Sequence, residues 1–547
     1  MTASRQDPGS PAIVLATLNA KYIHASLGLR YLLANIGELR PLTALREFTI
    51  ASSAQQVVDA LLRVLDGSAS GGAEAPCVAP AVQIVGFGVY IWNVRQTTAV
   101  LRLLKAARPQ IKVVLGGPEV SHELAGQEIV ELADHVITGW GDLAFAALCR
   151  VLLDGAPPPN KVIVGGQPPL KQIALPYAEY SDDDLAHRVL YVESSRGCPF
   201  KCEFCLSALD KTAWAFDLDV FLGELDRLYQ RGARNFKFVD RTFNLKTDAS
   251  IRLLQFFLDR LSASDEPLFV HFEVVPDHLP ERLKEMIARF PAGVLQLEVG
   301  VQSFNIEVQQ RISRRQDNAL TEANLRWLLG QSAAHVHADL IFGLPGETLE
   351  SFALGFDRLY ALGPHEIQLG LLKRLRGAPV ARHTAAYAMV YDAEPPYTVQ
   401  QTGVVDADMV RRLTRFARYW ERIANSGRFA HTLPLLLDDG NGGASPFYAF
   451  LALADWLWLE SAETRGKTSG MSPELLVNAL FDYLCGQRGL PATRAQQVLL
   501  ADYLASGARG SPRTLAGVLP KRDAPLPSRR ALASRQDRHL AVRQRAD

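Results

Sequence analysis

Glu193-Ser-Ser-Arg-Gly-Cys198-Pro-Phe-Lys-Cys202-Glu-Phe-Cys205 is the stretch on which the reading of this chain turns. Three of the six cysteines fall within eight residues, spaced C-x-x-x-C-x-x-C. Thiolates are soft ligands that suit iron–sulfur clusters, zinc or copper. A structural zinc site and a four-cysteine electron-transfer cluster both need four ligands. This loop offers three, with no nearby His and no fourth Cys. Three thiolates around a cubane would leave one iron open to bind and activate another molecule. A zinc knuckle completed by a distant residue, or three unrelated core cysteines, are the other readings that the spacing allows.

Outward from the cysteines, apolar β-like runs alternate with helical patterns. The runs are Val189–Glu193, Asn235–Asp240, Phe269–Val275, Val294–Val301, Val336–Phe342 and Glu366–Lys373. Helical periodicity fills stretches between them, such as Asp219–Arg231, Ala249–Leu261 and Pro280–Phe290. Six βα units fit an incomplete parallel barrel, whose chemistry lies at the carboxyl ends of its strands. The cysteine loop follows the first run and falls at that end. Asp240, Thr242, Glu298, Gln302 and Ser303 close other runs, and Arg314 and Arg315 follow.

Toward the N-terminus the same alternation predicts a doubly wound parallel sheet. Its strands are Ala12–Thr17, Leu42–Ile50, Val82–Val89, Ile111–Leu115 and His135–Thr138. Helices are expected near Ala25–Ile36, Ser52–Leu65, Val94–Ala107 and His122–Leu132. Ligands of such sheets bind at the carboxyl ends of the strands. Those ends hold His24, Gly86, Gly88, Tyr90, Trp92, Asn93, Gly116, Gly117, Pro118, Gly139 and Gly141. Gly86-x-Gly88 lacks the third glycine of a dinucleotide fingerprint, since position 91 is Ile. Gly155–Asn160 and Gly165–Pro169 are rich in helix breakers and read as a linker. Beyond about residue 380, Val404–Ser426, Phe447–Ser461 and Pro473–Arg488 are helical, with aromatics spaced as in a core. A lid over the barrel's open side is the other use for those aromatics. From Lys521 onward an Arg-rich stretch with Pro, Ser, Gln and Ala reads as a solvated tail.

The chain has 547 residues, 48% hydrophobic and 21% charged, with a formal net charge of zero. That length implies several domains. The charge balance implies no general attraction to nucleic acid or anionic membranes, and no nucleic-acid partner is expected. The most apolar run, Phe447–Ala454, is far short of the ~20 residues of a membrane span. Met1–Pro11 has no apolar signal segment. Cysteine usage points to a reducing compartment, so a cytoplasmic location is expected.

The run R-G-C-P-F-x-C-x-F-C resembles the cluster loop of radical S-adenosylmethionine (SAM) enzymes. The strand-end set V-G-F-G-V-Y-I-W-N with L-G-G-P-E resembles the cobalamin-binding domain that precedes many of their barrels. The resemblance implies an α/β chain in five parts. They are a Rossmann-like cobalamin-binding domain (1–155), a linker (156–185), a partial (β/α)6 radical SAM barrel (186–380), a helical C-terminal domain (381–520) and a basic tail (521–547). It implies that Cys198, Cys202 and Cys205 hold a [4Fe–4S] cluster whose open iron chelates SAM. Phe204, Asp240, Glu298, Gln302, Ser303, Arg314, Gly343 and Gly346 would contact SAM, the glycines belonging to Asp339-Leu-Ile-Phe-Gly343-Leu-Pro-Gly346-Glu347. Gly86, Gly88, Tyr90, Trp92, Asn93, Gly116, Gly117, Pro118 and Gly139 would contact cobalamin. The family's D-x-H-x-x-G motif is absent, because Tyr22 stands at the Asp position and Gly28 falls one residue late. His24 as the lower cobalt ligand therefore competes with a helix-capping role.

The activity so implied is methyl transfer to an unactivated carbon through a 5′-deoxyadenosyl radical. The other readings are a non-methylating cyclase, oxidase or rearrangement enzyme and a non-catalytic cobalamin or iron–sulfur sensor. A tRNA methylthiotransferase would need three further N-terminal cysteines, and only Cys77 and Cys149 occur there. A small molecule or peptide is the expected substrate, and a flavodoxin or ferredoxin the expected electron donor.

Overall fold

Two parallel sheets of six strands each carry the architecture, and their carboxyl ends face one another. The computed structural model describes residues 10–67, 80–156, 160–210, 212–263, 266–438, 445–520 and 538–539. Cys77 and the basic tail, apart from 538–539, lie outside the described residues.

The first sheet holds β1 (Ile13–Asn19), β2 (Thr43–Thr49), β3 (Ile84–Gly88), β4 (Lys112–Gly116), β5 (His135–Gly139) and β6 (Val162–Gly165). Their order is β2-β1-β3-β4-β5-β6, parallel throughout. Every residue of β1 is buried, as helices on both faces of a parallel sheet require. The strand order reverses between β1 and β3, which opens a crevice at their carboxyl ends. Two sequence expectations change here. β6 lies in the stretch read as linker: Val162-Ile-Val164 is a short edge strand flanked by helix breakers. The helix expected over His122–Leu132 is only Glu128–Leu132, because Glu123 and Gly126 adopt positive φ angles of 50° and 74°.

The second sheet contains β7 (Leu190–Val192), then β10 (Asn235–Phe238), β11 (Phe269–Val274), β12 (Leu295–Gln302), β13 (His335–Phe342) and β14 (Glu366–Leu371). A short antiparallel hairpin, β8 (Ser195–Gly197) with β9 (Ala213–Ala215), flanks the cysteines. The six parallel strands follow sequence order, and the edge strands β7 and β14 do not pair with each other. This is a partial barrel. In β12 burial alternates strictly, so Leu295, Leu297, Val299 and Val301 pack against helices while Glu298, Gly300 and Gln302 face the interior.

The C-terminal helices Ala407–Ile423 and Pro446–Leu459 pack on the barrel helix Leu349–Leu362. Phe356 meets Trp420 at 4.9 Å between ring centroids, and Phe416 meets Phe450 at the same distance. These aromatics share one apolar core with the barrel, so they extend that core and do not form a lid. Two helices beyond those expected, Thr432–Leu437 and Ala492–Ala505, complete the region. No helix among the described residues is long and apolar enough to cross a membrane.

Buried charge joins the first sheet to the barrel. Arg30, 1% exposed, pairs at 2.8 Å with both Glu47 of β2 and Asp184, which precedes β7. Arg188 also binds Glu47, at 2.7 Å. On the other side Arg374 and Arg376 reach back to Glu123 and Glu119. Removing one partner of a buried ion pair leaves an uncompensated charge and costs about 3–5 kcal/mol. Arg30→Met is therefore expected to lower stability by that amount. Thermal unfolding and limited proteolysis should show the N-terminal sheet losing protection first; an unchanged midpoint would mean that apolar contact alone holds the interface.

Candidate active site

A cavity of about 480 Å³ lies between the two sets of strand ends. Its floor comes from the first sheet: Gly86, Gly88, Tyr90, Gly116, Gly117 and Gly139, with Gly28, Tyr31, Trp140 and Phe145. Its roof comes from the barrel, through Glu193, Arg196, Gly197, Ser207, Val239 and Arg241. The floor glycines have different causes. A Cβ on Gly117, whose φ is 112°, would come within 2.4 Å of the Val89 carbonyl oxygen. Protein packing alone demands that glycine. A Cβ on Gly116 would meet nothing nearer than 3.8 Å, so this strand end is flat toward the cavity.

The other residues expected at this site do not line the cavity. Asn93 is buried and spends its side chain tying together strand ends, donating to the Leu18 and Gly88 carbonyls and accepting from Tyr90 N–H. Trp92 stacks on Tyr90 at 4.5 Å and donates to the Leu18 carbonyl. Pro118 opens a short 3-10 turn behind Gly117. His24 is engaged elsewhere: its Nδ1 lies 2.7 Å from the Tyr191 hydroxyl, and its backbone bridges Val189. Burial lowers its pKa. Ser26 takes the helix cap, accepting from Leu29 N–H.

A second cavity of about 250 Å³ opens at the barrel mouth. Cys198, Cys202 and Cys205 line it together with Phe204, Glu298, Gln302 and Arg314. The three cysteines are free of disulfides. Among the described residues no group of three or more His, Cys, Asp or Glu converges on a point suited to a single metal ion. All three cysteines border this one cavity. The loop is shaped by Gly197, φ 89°, where a Cβ would strike the Thr212 carbonyl at 2.4 Å. Burial pushes the Cys198 and Cys202 thiols up, and Arg314 beside Cys202 pulls the other way. Arg314 Nη1 lies 3.6 Å from Cys202 Sγ; its Nε donates to Gln316, and its Nη2 to the Gly300 carbonyl. Gln302 adopts φ 71° next to a register shift in β12, a strained strand end at the cavity wall.

Four residues expected here stand behind the wall. Asp240 is buried and accepts from Ser194 N–H, Ser194 Oγ and Ser195 Oγ, fixing the start of the cysteine loop. Ser303 donates to buried Glu347. A Cβ on Gly343 would meet Val399, and one on Gly346 would meet Arg311 and Tyr387. The residues that sequence reasoning missed are Arg241, Glu273, Asp277 and Gln316 in this cavity and Arg196, Trp140 and Phe145 in the other. Arg241 follows directly on Asp240 at a strand end and could have been noticed there.

Charges inside the barrel are graded. Burial opposes ionisation of Glu298, but His271 at 3.0 Å, with Lys237 and His337, holds its carboxyl down to about 2. Asp339 is pushed far up by burial and by the negative charges of Glu298 and Glu273. Burial and neighbouring charge thus push these two carboxyls in opposite directions. Farther back, burial raises Glu347 to about 7 against the pull of Ser303 and Arg311. The folded state therefore holds a proton that the unfolded chain releases near 4.5. Stability from this group is complete below pH 4.5 and is lost as pH rises toward 7, by about 3 kcal/mol. Glu347→Gln should flatten that fall in a series of thermal unfolding curves from pH 5 to 8; an unaltered slope would show that Glu347 is ionised throughout.

Comparison with known proteins agrees with this layout. The Radical SAM superfamily model matches residues 192–356, and the B12 binding domain model matches 77–149. A family of unknown function, DUF4080, matches 385–527. The 2-(S-pantetheinyl)-carbapenam-3-carboxylate methyltransferase of Streptantibioticus cattleyicolor is 24% identical over 52% of this chain and 45% of its own length. The cobalamin-dependent radical SAM methyltransferase TokK of Streptomyces tokunonensis is 24% identical over 53% of this chain and 47% of its own. The chain thus spans less than half the length of these curated relatives. In fold, it matches the cobalamin-dependent S-adenosylmethionine radical enzyme OxsB with a TM-score of 0.58, at 12% identity, over 98% of this chain and 83% of that one. With glycine-floored strand ends facing a three-cysteine barrel mouth, and both domain models matched, the chain carries a radical SAM domain together with a B12-binding domain.

Proposed function

We propose that this chain is a cobalamin-dependent radical SAM methyltransferase acting on an unactivated carbon. One observation carries the reading: the glycine-floored cavity and the cysteine-walled cavity share Arg241, so that two cofactors would face one space. The two curated relatives named above, both methyltransferases, support it. When bound, the cluster with SAM supplies a hydrogen-abstracting 5′-deoxyadenosyl radical, and cobalamin supplies the methyl group. In this proposal residues 1–155 hold cobalamin, 186–380 hold the cluster and SAM, and a flavodoxin- or ferredoxin-type donor provides the electron.

The chain's own residues would bind, orient and exclude water. Cys198, Cys202 and Cys205 ligate the cluster. Arg314, with Arg315 beside it, offers a cation to the SAM carboxylate, whose geometry suits a guanidinium. Ionised Glu298 and Gln302 accept from or donate to the SAM ribose and amino group, and Phe204 packs on the adenine. Phe204, partly buried, already packs against an apolar cluster that includes Leu344, Val380 and Val399. Gly88, Gly116 and Gly139 form the flat seat for the corrin, and Tyr90 borders it. Among the described lining residues no His is present, so His24 is not proposed as a cobalt ligand.

Methyl-deuterated SAM should yield a product heavier by the labelled methyl, read by mass spectrometry. SAM cleavage without label transfer would favour the second reading, a non-methylating radical enzyme. Ala at Cys198, Cys202 or Cys205 should abolish the cluster absorbance and SAM cleavage together. Gly116→Leu places a side chain where the protein leaves open space. It should remove cobalamin binding while the cluster and the far-ultraviolet dichroism persist; retained cobalamin would displace the corrin from this seat.

A further inference from the structure

We propose that Arg241 binds the substrate, and that the substrate carries an anionic group, a carboxylate or a phosphate, next to the carbon that reacts. The inference rests on the two-cofactor reading above and deepens it. Arg241 lines both cavities, so its guanidinium stands where a molecule between the two cofactors would pass. Its backbone is fixed by the neighbouring Asp240, whose carboxyl takes three hydrogen bonds from Ser194 and Ser195.

The head of Arg241 is half committed. Nη1 donates to both oxygens of Glu273, at 3.0 and 2.9 Å. Among the described residues Nη2 and Nε take no hydrogen-bond partner, and the residue borders both cavities. Although protein surrounds the residue, 53% of its side-chain surface is open, against 22% for Glu273. The other arginines of the wall differ. Arg196 is consumed by Asp142 and Glu193, and Arg314, assigned above to the SAM carboxylate, lines only the cysteine cavity and already contacts Gly300, Gln316 and the Cys202 sulfur. Arg315 is open but lines only the cysteine cavity.

A planar guanidinium held by one edge presents the other for a two-point bond to a carboxylate or phosphate. Binding energy from a group that does not itself react would then hold the reacting carbon in line between hydrogen abstraction and methyl delivery. Lys would keep the charge and lose the fork, and Gln would lose both.

The test uses the holoenzyme reconstituted with cluster, cobalamin and SAM, with inorganic phosphate and malonate as probes in separate arms. Electron paramagnetic resonance reads cob(II)alamin and the reduced cluster, which would flank Arg241. At least one anion should perturb a signal saturably, and the arm that responds identifies the anionic group. Arg241→Gln should weaken that response roughly tenfold or more, with Arg241→Lys between it and the parent, while SAM still changes the cluster signal. No response to either anion in the parent enzyme would overturn the inference, as would an equal response in the Gln variant. Loss of the SAM-induced change in the variants would assign Arg241 to SAM instead. Absence of the cobalamin or cluster signal from the parent enzyme would overturn the functional reading and this inference with it.

Discussion

Arg196 is the interaction on which the layout of this molecule depends. It lies two residues before Cys198, and it crosses the interface to bind Asp142 of the N-terminal domain through two bonds of 2.9 and 3.0 Å. Its Nε binds Glu193 at 2.7 Å, and its guanidinium stacks over the Tyr31 ring at 4.3 Å. Burial opposes its charge, but the two carboxylates outweigh that, and the arginine stays ionised. A buried pair of this kind is weak evidence for stability, since desolvation offsets most of the attraction. Its value here is in registry. It ties the cysteine loop directly to the domain that carries the glycine strand ends, while Arg30, Arg188, Arg374 and Arg376 join the two domains elsewhere.

The same loop is gripped from below and behind. Glu203, between Cys202 and Phe204, is 2% exposed and accepts from Ser313, Arg382 and His383. Val380 N–H donates to its carbonyl at 2.9 Å, and its own N–H donates to Ile312. Segments from the barrel and from the region after β14 thus converge on one loop. The latter also returns to the first domain, where Tyr397 and Arg376 share Glu119. Loops that carry chemistry are precise when rigid elements brace them, and here three separate parts of the chain do the bracing.

Much of this was legible in the residues. Both parallel sheets follow from strand–helix alternation, and the cysteine spacing announced a site at the end of the first barrel strand. Strand ends were also the right places to look: of the expected cobalamin contacts five glycines and Tyr90 line the first cavity, and of the expected cluster and SAM contacts seven residues line the second. What the residues could not announce was which polar side chains turn toward a cavity and which turn back into the protein. Asp240, Asn93 and Ser303 are strand-end residues like Glu298 and Gln302, yet they serve backbone and buried partners. The aromatics of the C-terminal helices likewise carry a core periodicity whether they pack on a barrel or cover one.

Taken alone, the sequence determined the local matters: most of the strands and helices, glycines at strand ends, and a three-thiolate loop with room for a fourth ligand. These depend on residues close together in the chain, where periodicity, backbone freedom and ligand spacing act. The tertiary structure decided everything that depends on facing. Asp142 meets Arg196 across 54 positions, Glu119 meets Arg376 across 257, and Arg241 comes to border two cavities built from different domains. Such contacts arise only when two sheets are held mouth to mouth, and no spacing rule within one segment encodes the angle at which they meet.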